Sequence, residues 1–368
     1  MKQSKMLISM LLLSLVLGAC NQKQEITKTQ ETIVLFDNLK DVAKKGILFG
    51  HHDDTVYGIG WEGDKDRSDV KSVCGAFPAV ISFDLGEIEL GNVHNLDKVP
   101  FERLKECTIE HYQRGGMVSF SWHVRNPKTG GDAWDISDST VVASILPNGE
   151  HHQKMLSWID IVSEFFLSLK TSEGTLVPVI FRPWHEHTGS WFWWGQALCS
   201  TEQYKMLWQM TFDRLCQNGV NNLLLAYSPG MEPNTVEEYL ERYPGDNVID
   251  VIGTDIYQYD SSQYKEQLDK ELAIMTTVGK EHDKPIALTE TGLEGIPDST
   301  WWTQTLLPIV SKYPLSYMLV WRNAREKVTH YYAPYPGQVS ANDFVKFYKS
   351  PKTLFIGDDF ELYKQDLR

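Results

Sequence analysis

Eight short apolar runs punctuate the chain at intervals of roughly 40 residues, and amphipathic stretches fill the gaps between them. The runs are Ile47–Gly50, Ala79–Asp84, Met117–Trp122, Val177–Trp184, Asn222–Tyr227, Val248–Asp255, Ile286–Glu290 and Tyr317–Trp321. Helical spacing of apolar residues marks Thr32–Lys45, Glu102–Gln113, His152–Leu169, Glu202–Gln217, Asn234–Arg242, Ser262–Glu281, Thr300–Lys312 and Ala341–Tyr348. A strand that is apolar on both sides must be covered on both faces, which is the habit of parallel sheets with helical crossovers. Eight such units in 368 residues predict an α/β chain folded as a single (β/α)8 TIM barrel. A doubly wound open sheet is the alternative. It would carry a glycine-rich turn after its first strand, but His51-His52-Asp53-Asp54 stands there.

The first segment has another purpose. Lys2 and Lys5 precede an apolar run from Met6 to Leu17, too short to cross a bilayer as a helix. The pattern reads as an export signal over residues 1–19. It ends in Leu17-Gly18-Ala19-Cys20, which resembles a bacterial lipobox with Cys20 as the lipidated residue; a plain secretory signal is the alternative. Residues 20–31 then form a polar tether, and 32–368 the catalytic barrel. A lipid on Cys20 implies an anchored lipoprotein, placed at the outer membrane. Asn21-Gln22-Lys23-Gln24-Glu25 is a poor surface-export signal, which favours the periplasmic face over the cell surface. Four cysteines remain beyond Cys20, with three possible pairings and no zinc-like spacing. A net charge of −14 makes nucleic acid an unfavourable partner.

In a (β/α)8 barrel the chemistry gathers where strands end. Here those ends carry His51 and His52, Asp84, Trp122 and His123, His185 and Glu186, Asp255 and Tyr257, Glu290, and Trp321 and Arg322. Glu186 and Glu290 end runs four and seven, which face each other across one barrel mouth. Paired carboxyls suit glycosidic cleavage: one donates a proton to the leaving oxygen and the other attacks the anomeric carbon. A single strand-end glutamate is commonly no more than a salt-bridge partner. Two of them, amid histidines and the aromatic loop Trp191-Phe192-Trp193-Trp194, point to a site. Sugars bind through their C–H faces on aromatic planes, and 12 Trp and 16 Tyr supply such planes.

These segments resemble glycoside hydrolase family 26, the β-mannanases of the large retaining (β/α)8 clan. The resemblance rests on Arg182-Pro183-Trp184-His185-Glu186 with Trp191-Phe192-Trp193-Trp194-Gly195, on Val251-Ile252-Gly253-Thr254-Asp255-Ile256-Tyr257, on Leu288-Thr289-Glu290-Thr291-Gly292 and on Trp321-Arg322-Asn323. Gly50-His51-His52-Asp53 and Ser121-Trp122-His123 extend it, so that it covers nearly everything from residue 32 onward. It implies that Glu186 is the general acid/base and Glu290 the nucleophile. It also implies that His185 stands beside the acid, Tyr257 bonds the nucleophile, Trp191 stacks on the aglycone side, Trp321 floors the −1 sugar, and His123 and Arg322 hold the glycone side. The implied activity is endo-hydrolysis of β-1,4-mannan or manno-oligosaccharides, with no metal and no cofactor. A β-glucanase or β-xylanase of the same clan, and a non-catalytic glycan-binding lipoprotein, are the rival readings.

Other conspicuous residues have structural explanations. Trp158, Trp208, Trp301 and Trp302 fall in helical stretches and read as core. Trp193 and Trp194 stay open between core and site, as do Tyr57 and Trp61. His51-His52-Asp53-Asp54 holds ligand-type side chains, but consecutive residues on an extended chain point to opposite sides and should not chelate together. His185-Glu186-His187 lacks the spacing of a zinc-binding helix.

Overall fold

The computed structural model describes residues 27–259 and 263–365. The segment read as an export signal, Cys20 and most of the stretch read as a tether lie outside them. Eight parallel strands form the barrel: β1 (Ile47–His52), β2 (Val80–Asp84), β3 (Met117–Ser121), β4 (Val179–Arg182), β5 (Leu223–Tyr227), β6 (Val251–Tyr257), β7 (Ile286–Gly292) and β8 (Leu315–Val320). Each falls on one of the anticipated apolar runs. The barrel closes where β1 pairs with β8, from Leu48↔Tyr317 to His51↔Val320.

Strand alternation divides the core in two. Leu48, Val80, Met117, Ile180, Leu224, Val251, Ala287 and Tyr317 fill the interior. Phe49, Phe83, Phe120, Phe181, Leu225, Ile252 and Met318 face the surrounding helices. Helix α1 (Gln30–Val42) begins two residues before the anticipated Thr32, because the Thr29 side chain caps it by accepting the Thr32 N–H at 3.2 Å. Leu35, Leu39 and Val42 of α1 join the interior cluster and plug the end of the barrel where the strands begin. Thr29 N–H donates to Asn221 O at 2.9 Å and Ser316 Oγ to Leu39 O at 2.7 Å, tying α1 to the starts of β5 and β8.

The remaining helices are α2 (Asp69–Cys74), α3 (Phe101–Gln113), α4 (Val141–Ile145), α5 (His152–Ser168), α6 (Thr201–Gln217), α7 (Val236–Leu240), α8 (Tyr264–Glu281), α9 (Leu307–Val310) and α10 (Ala341–Tyr348). The expected continuous helix over Thr300–Lys312 is instead a π-helical turn, Trp302–Leu306, followed by α9. Pro308 has no N–H to return to Gln304 O, and that carbonyl accepts Lys265 Nζ at 2.9 Å. Trp158, Trp208, Trp301 and Trp302 are buried, as core residues should be. Cys74, Cys107 and Cys199 are free thiols.

One irregularity positions chemistry. Along β7, Leu288 pairs with Thr254 and Glu290 with Asp255, while on the other side Leu288 pairs with Met318 and Thr291 with Val320. Against each neighbour β7 advances one residue further, so it carries a bulge at Thr289 and Glu290. Thr289 Oγ1 bonds Asp255 Oδ1 at 2.7 Å, and its neighbour Glu290 is bonded by Tyr257 at 2.6 Å. Two consecutive side chains therefore face the barrel mouth, which a regular pleat would forbid.

Candidate active site

A cleft of about 850 Å³ opens at the carboxyl ends of the strands, a size typical of small-molecule sites. Glu186 stands on the loop after β4. Trp184 and Glu186 both adopt the left-handed region, φ +56° and +53°, which is strained for residues with a Cβ. The bend persists because Glu186 N–H donates to Ser228 O at 2.7 Å and Trp194 Nε1 to His185 O at 2.8 Å. Trp193 Nε1 likewise donates to Val124 O at 3.1 Å. Trp193 and Trp194 thus belong to the scaffold. Trp191, 39% exposed, donates its indole N–H to Glu186 Oε2 at 2.7 Å. Gly189 permits this, since a Cβ there would come within 2.2 Å of the Trp191 ring.

Glu290 faces Glu186 from β7. Tyr257 donates to its Oε2 at 2.6 Å, and Arg182 donates to its Oε1. The other arm of the Arg182 guanidinium reaches Asp255 Oδ2 at 2.5 Å. One ligand-type oxygen from each of Glu186, Asp255 and Glu290 lies within 4.8 Å of the others. The buried guanidinium already supplies countercharge to this cluster, so it does not need a cation. Burial first, then the charges of Asp255 and Glu290, raise the Glu186 pKa well above the ordinary carboxyl value, against the Trp191 bond and Arg182. Burial likewise pushes Asp255 up to about 7 despite Arg182.

A chain of three groups flanks the pair. Asp84 Oδ2 binds His123 Nδ1 at 2.7 Å, and His123 Nε2 lies 3.2 Å from His185 Nε2. Burial opposes charge on His123, but the Asp84 carboxylate outweighs it and the His123 pKa is raised. Burial, then Arg182 and His123, lower that of His185. A charged His123 donates one N–H to Asp84 and the other to a neutral His185. Trp321 forms part of the cleft wall and stacks on His52, centroids 3.8 Å apart and planes 18° from parallel.

The structure brings Glu186, Glu290, His123, His185, Trp191, Tyr257 and Trp321 together around the cleft. Arg322 stands next to Trp321, outside the residues that line the cleft; it pairs with Asp97 at 3.1 Å and Glu326 at 2.7 Å and donates to Tyr57 at 3.2 Å. Tyr57 and Trp61 are buried, bonded to Asp53 and Asp69, and act in the scaffold. Sequence reasoning put Asp255 at a strand end and Arg182 within a motif but gave neither a role in the site. It also missed Trp134, which is exposed on the loop after β3 and stacks on His123 at 5.0 Å and 15°. A tryptophan in the polar stretch Gly131-Asp132-Ala133-Trp134-Asp135 was the available signal.

The model of Glycosyl hydrolase family 26 matches residues 25–327. A β-mannanase of that family from Bacteroides ovatus has a solved structure 74% identical to this chain, covering 93% of this chain and 99% of its own, with a TM-score of 0.92. A modular endo-β-1,4-mannanase from Cellulomonas fimi is 33% identical, covering 92% of this chain and 78% of its own, with a TM-score of 0.84. A mannan endo-1,4-β-mannosidase of Bifidobacterium adolescentis is 32% identical over 91% of this chain. The chain spans 35% of the length of that curated relative and 51% of one from Thermothelomyces thermophilus.

Proposed function

The chain belongs to glycosyl hydrolase family 26, and from that we propose that it is an endo-acting β-1,4-mannanase working with retention at the anomeric carbon. The observation that carries the stereochemistry is the closeness of the two carboxyls. Oxygens of Glu186 and Glu290 lie within 4.8 Å. An inverting pair stands about 6.5–9.5 Å apart to admit a water, whereas a retaining pair stands about 5–5.5 Å apart.

In the first step Glu186 gives its proton to the glycosidic oxygen while Glu290 attacks the anomeric carbon. The aglycone leaves, and a glycosyl ester forms on Glu290. Tyr257 and Arg182 aim the attacking carboxylate. Forming the ester removes the Glu290 charge, one of the causes that hold the Glu186 proton. The Glu186 pKa then falls, and its carboxylate takes a proton from water as that water releases the sugar. Trp321 floors the −1 sugar, His123 and His185 read hydroxyls beside it, and Trp191 receives the aglycone side. Arg322, next to Trp321, holds the glycone side.

The substrates are mannan, galactomannan or manno-oligosaccharides, as the names of the relatives support. Products from mannohexaose, cellohexaose and xylohexaose should show cleavage of the first alone, with Glu186→Ala and Glu290→Ala severely slowed. Proton NMR of the first-formed product should show the β-anomer. An α-anomer would overturn retention, and cleavage of another hexaose would replace the substrate. We further propose that Cys20 is lipidated and anchors the enzyme at the outer membrane, facing the periplasm. Membrane fractionation of the natural chain beside Cys20→Ala tests this, because only the variant should be soluble.

A further inference from the structure

The proposed mechanism leaves three side chains behind Trp321 without a task. His52, Asp53 and Asp97 are each more than nine-tenths buried, yet His52 Nε2, Asp53 Oδ1 and Asp97 Oδ2 find no hydrogen-bond partner among the described residues. One ligand-type atom from each lies within 4.8 Å of the others. Native proteins seldom leave converging buried polar atoms unsatisfied.

The opposite atom of every one of these side chains is already held. Ser82 Oγ lies 2.5 Å from His52 Nδ1; when that nitrogen carries the proton, Nε2 presents a lone pair. The Tyr57 hydroxyl donates to Asp53 Oδ2, and Arg322 Nε pairs with Asp97 Oδ1 at 3.1 Å. This is how outer partners orient metal ligands: they take one atom and aim the other. The backbone explains why two neighbours in sequence converge, contrary to the alternation expected of an extended segment. Asp53 adopts φ +55°, which ends the strand conformation and leaves Asp53 Oδ1 3.7 Å from His52 Nε2. Asp97 arrives on the loop before α3, where Asn95 Oδ1 accepts the N–H groups of Asp97 and Val99 at 3.0 and 2.9 Å. Burial, then the Asp97 charge, raise the Asp53 pKa, and burial pushes Asp97 to about 6 although Arg322 opposes it.

We propose that His52, Asp53 and Asp97 form a divalent-cation site, separate from the catalytic carboxyls, with waters completing the shell. One imidazole nitrogen with two carboxylate oxygens suits an ion of the Mn²⁺ or Zn²⁺ class; Ca²⁺ prefers a shell of oxygens alone. The ion would act structurally. His52 stacks on Trp321, and Asp97 holds the adjacent Arg322, so a bound cation fixes the floor of the cleft from beneath.

The test uses the full chain, stripped with EDTA and titrated with Mn²⁺. Calorimetry should give one ion per chain, with a Kd of about 50 μM or tighter. At about 100-fold excess over Kd the thermal midpoint should rise by about 3 °C or more. Pulsed EPR of the bound Mn²⁺ should show nitrogen coupling from one imidazole. His52→Gln and Asp97→Asn should each weaken binding at least about tenfold. Asp255→Asn, in the acidic cluster that lacks histidine, should leave it unchanged. Absence of binding to the natural chain overturns the proposal whatever the variants do. So does Mn²⁺ without nitrogen coupling, or binding that Asp255→Asn abolishes.

Discussion

Trp191→Phe keeps an aromatic face at the rim of the cleft and removes one hydrogen-bond donor. The lost N–H sits 2.7 Å from Glu186 Oε2. A hydrogen bond to a charged group contributes about 1.5–3 kcal/mol in a buried setting. Trp191 is 39% exposed, so water replaces part of the loss and about 1 kcal/mol remains. At about 1.4 kcal/mol per pKa unit, that is a shift of about 0.5–1 unit. The sign follows from which form the donor favours. It stabilises the carboxylate, so its removal raises a pKa that burial, Asp255 and Glu290 already hold high. Glu186 must be protonated for the first step, so the alkaline limb of the profile should move to higher pH. The assay is kcat/KM on mannohexaose from pH 5 to 10 for both proteins. A limb that stays in place or moves to lower pH would refute the reasoning. A higher KM with an unmoved limb would reduce Trp191 to a sugar contact.

Tyr257→Phe removes the 2.6 Å bond to Glu290 Oε2, and kcat should fall about 10–100-fold with little change in KM; a change in KM alone would place Tyr257 in binding instead. Gly189→Ala sets a Cβ within 2.2 Å of the Trp191 ring, so the indole must move and activity should drop at least about tenfold at unchanged thermal midpoint; full activity would show that the loop yields freely. Glu271 on α8 is fully buried, with neither carboxyl oxygen bonded, and burial raises its pKa to about 8. The native state keeps a proton that the unfolded chain releases above the ordinary carboxyl value of 4.5, so stability should decline as pH climbs from 4.5 through about 8. Glu271→Gln should flatten that decline in thermal midpoints taken from pH 5 to 9, and parallel curves would rule Glu271 out as its source.

The barrel was legible because each of its strands is apolar on both sides, and few other arrangements bury such runs. Glu186 and Glu290 were legible as a pair, because two strand-end carboxyls on runs four and seven face one mouth amid histidines and tryptophans. What stayed hidden depends on long-range geometry. Arg182 joins Asp255 to Glu290 across 73 and 108 residues of sequence, and no local pattern announces that. The bulge in β7 was invisible too: strict alternation from Ala287 would aim Glu290 at the helices rather than the mouth. The short α2 and α4 carry too few turns to show a period. Arg322 was given its role through the family resemblance alone, and its ion pair with Asp97, 225 residues away in sequence, is another contact that no local pattern announces.

The plug formed by α1 has a directional consequence. Its first turn is fastened by Thr29 to Asn221 and by Lys28 to Leu223 O and Asp250, all at the amino ends of strands. The carboxyl pair lies at the other end of those strands, about 20 Å away at about 3.3 Å per residue. A molecule held to a membrane through Cys20 would hang from its blunt end, with at most about 30 Å of backbone between lipid and barrel. Its cleft would then look away from the bilayer, and a sugar chain could enter it without meeting the lipid headgroups.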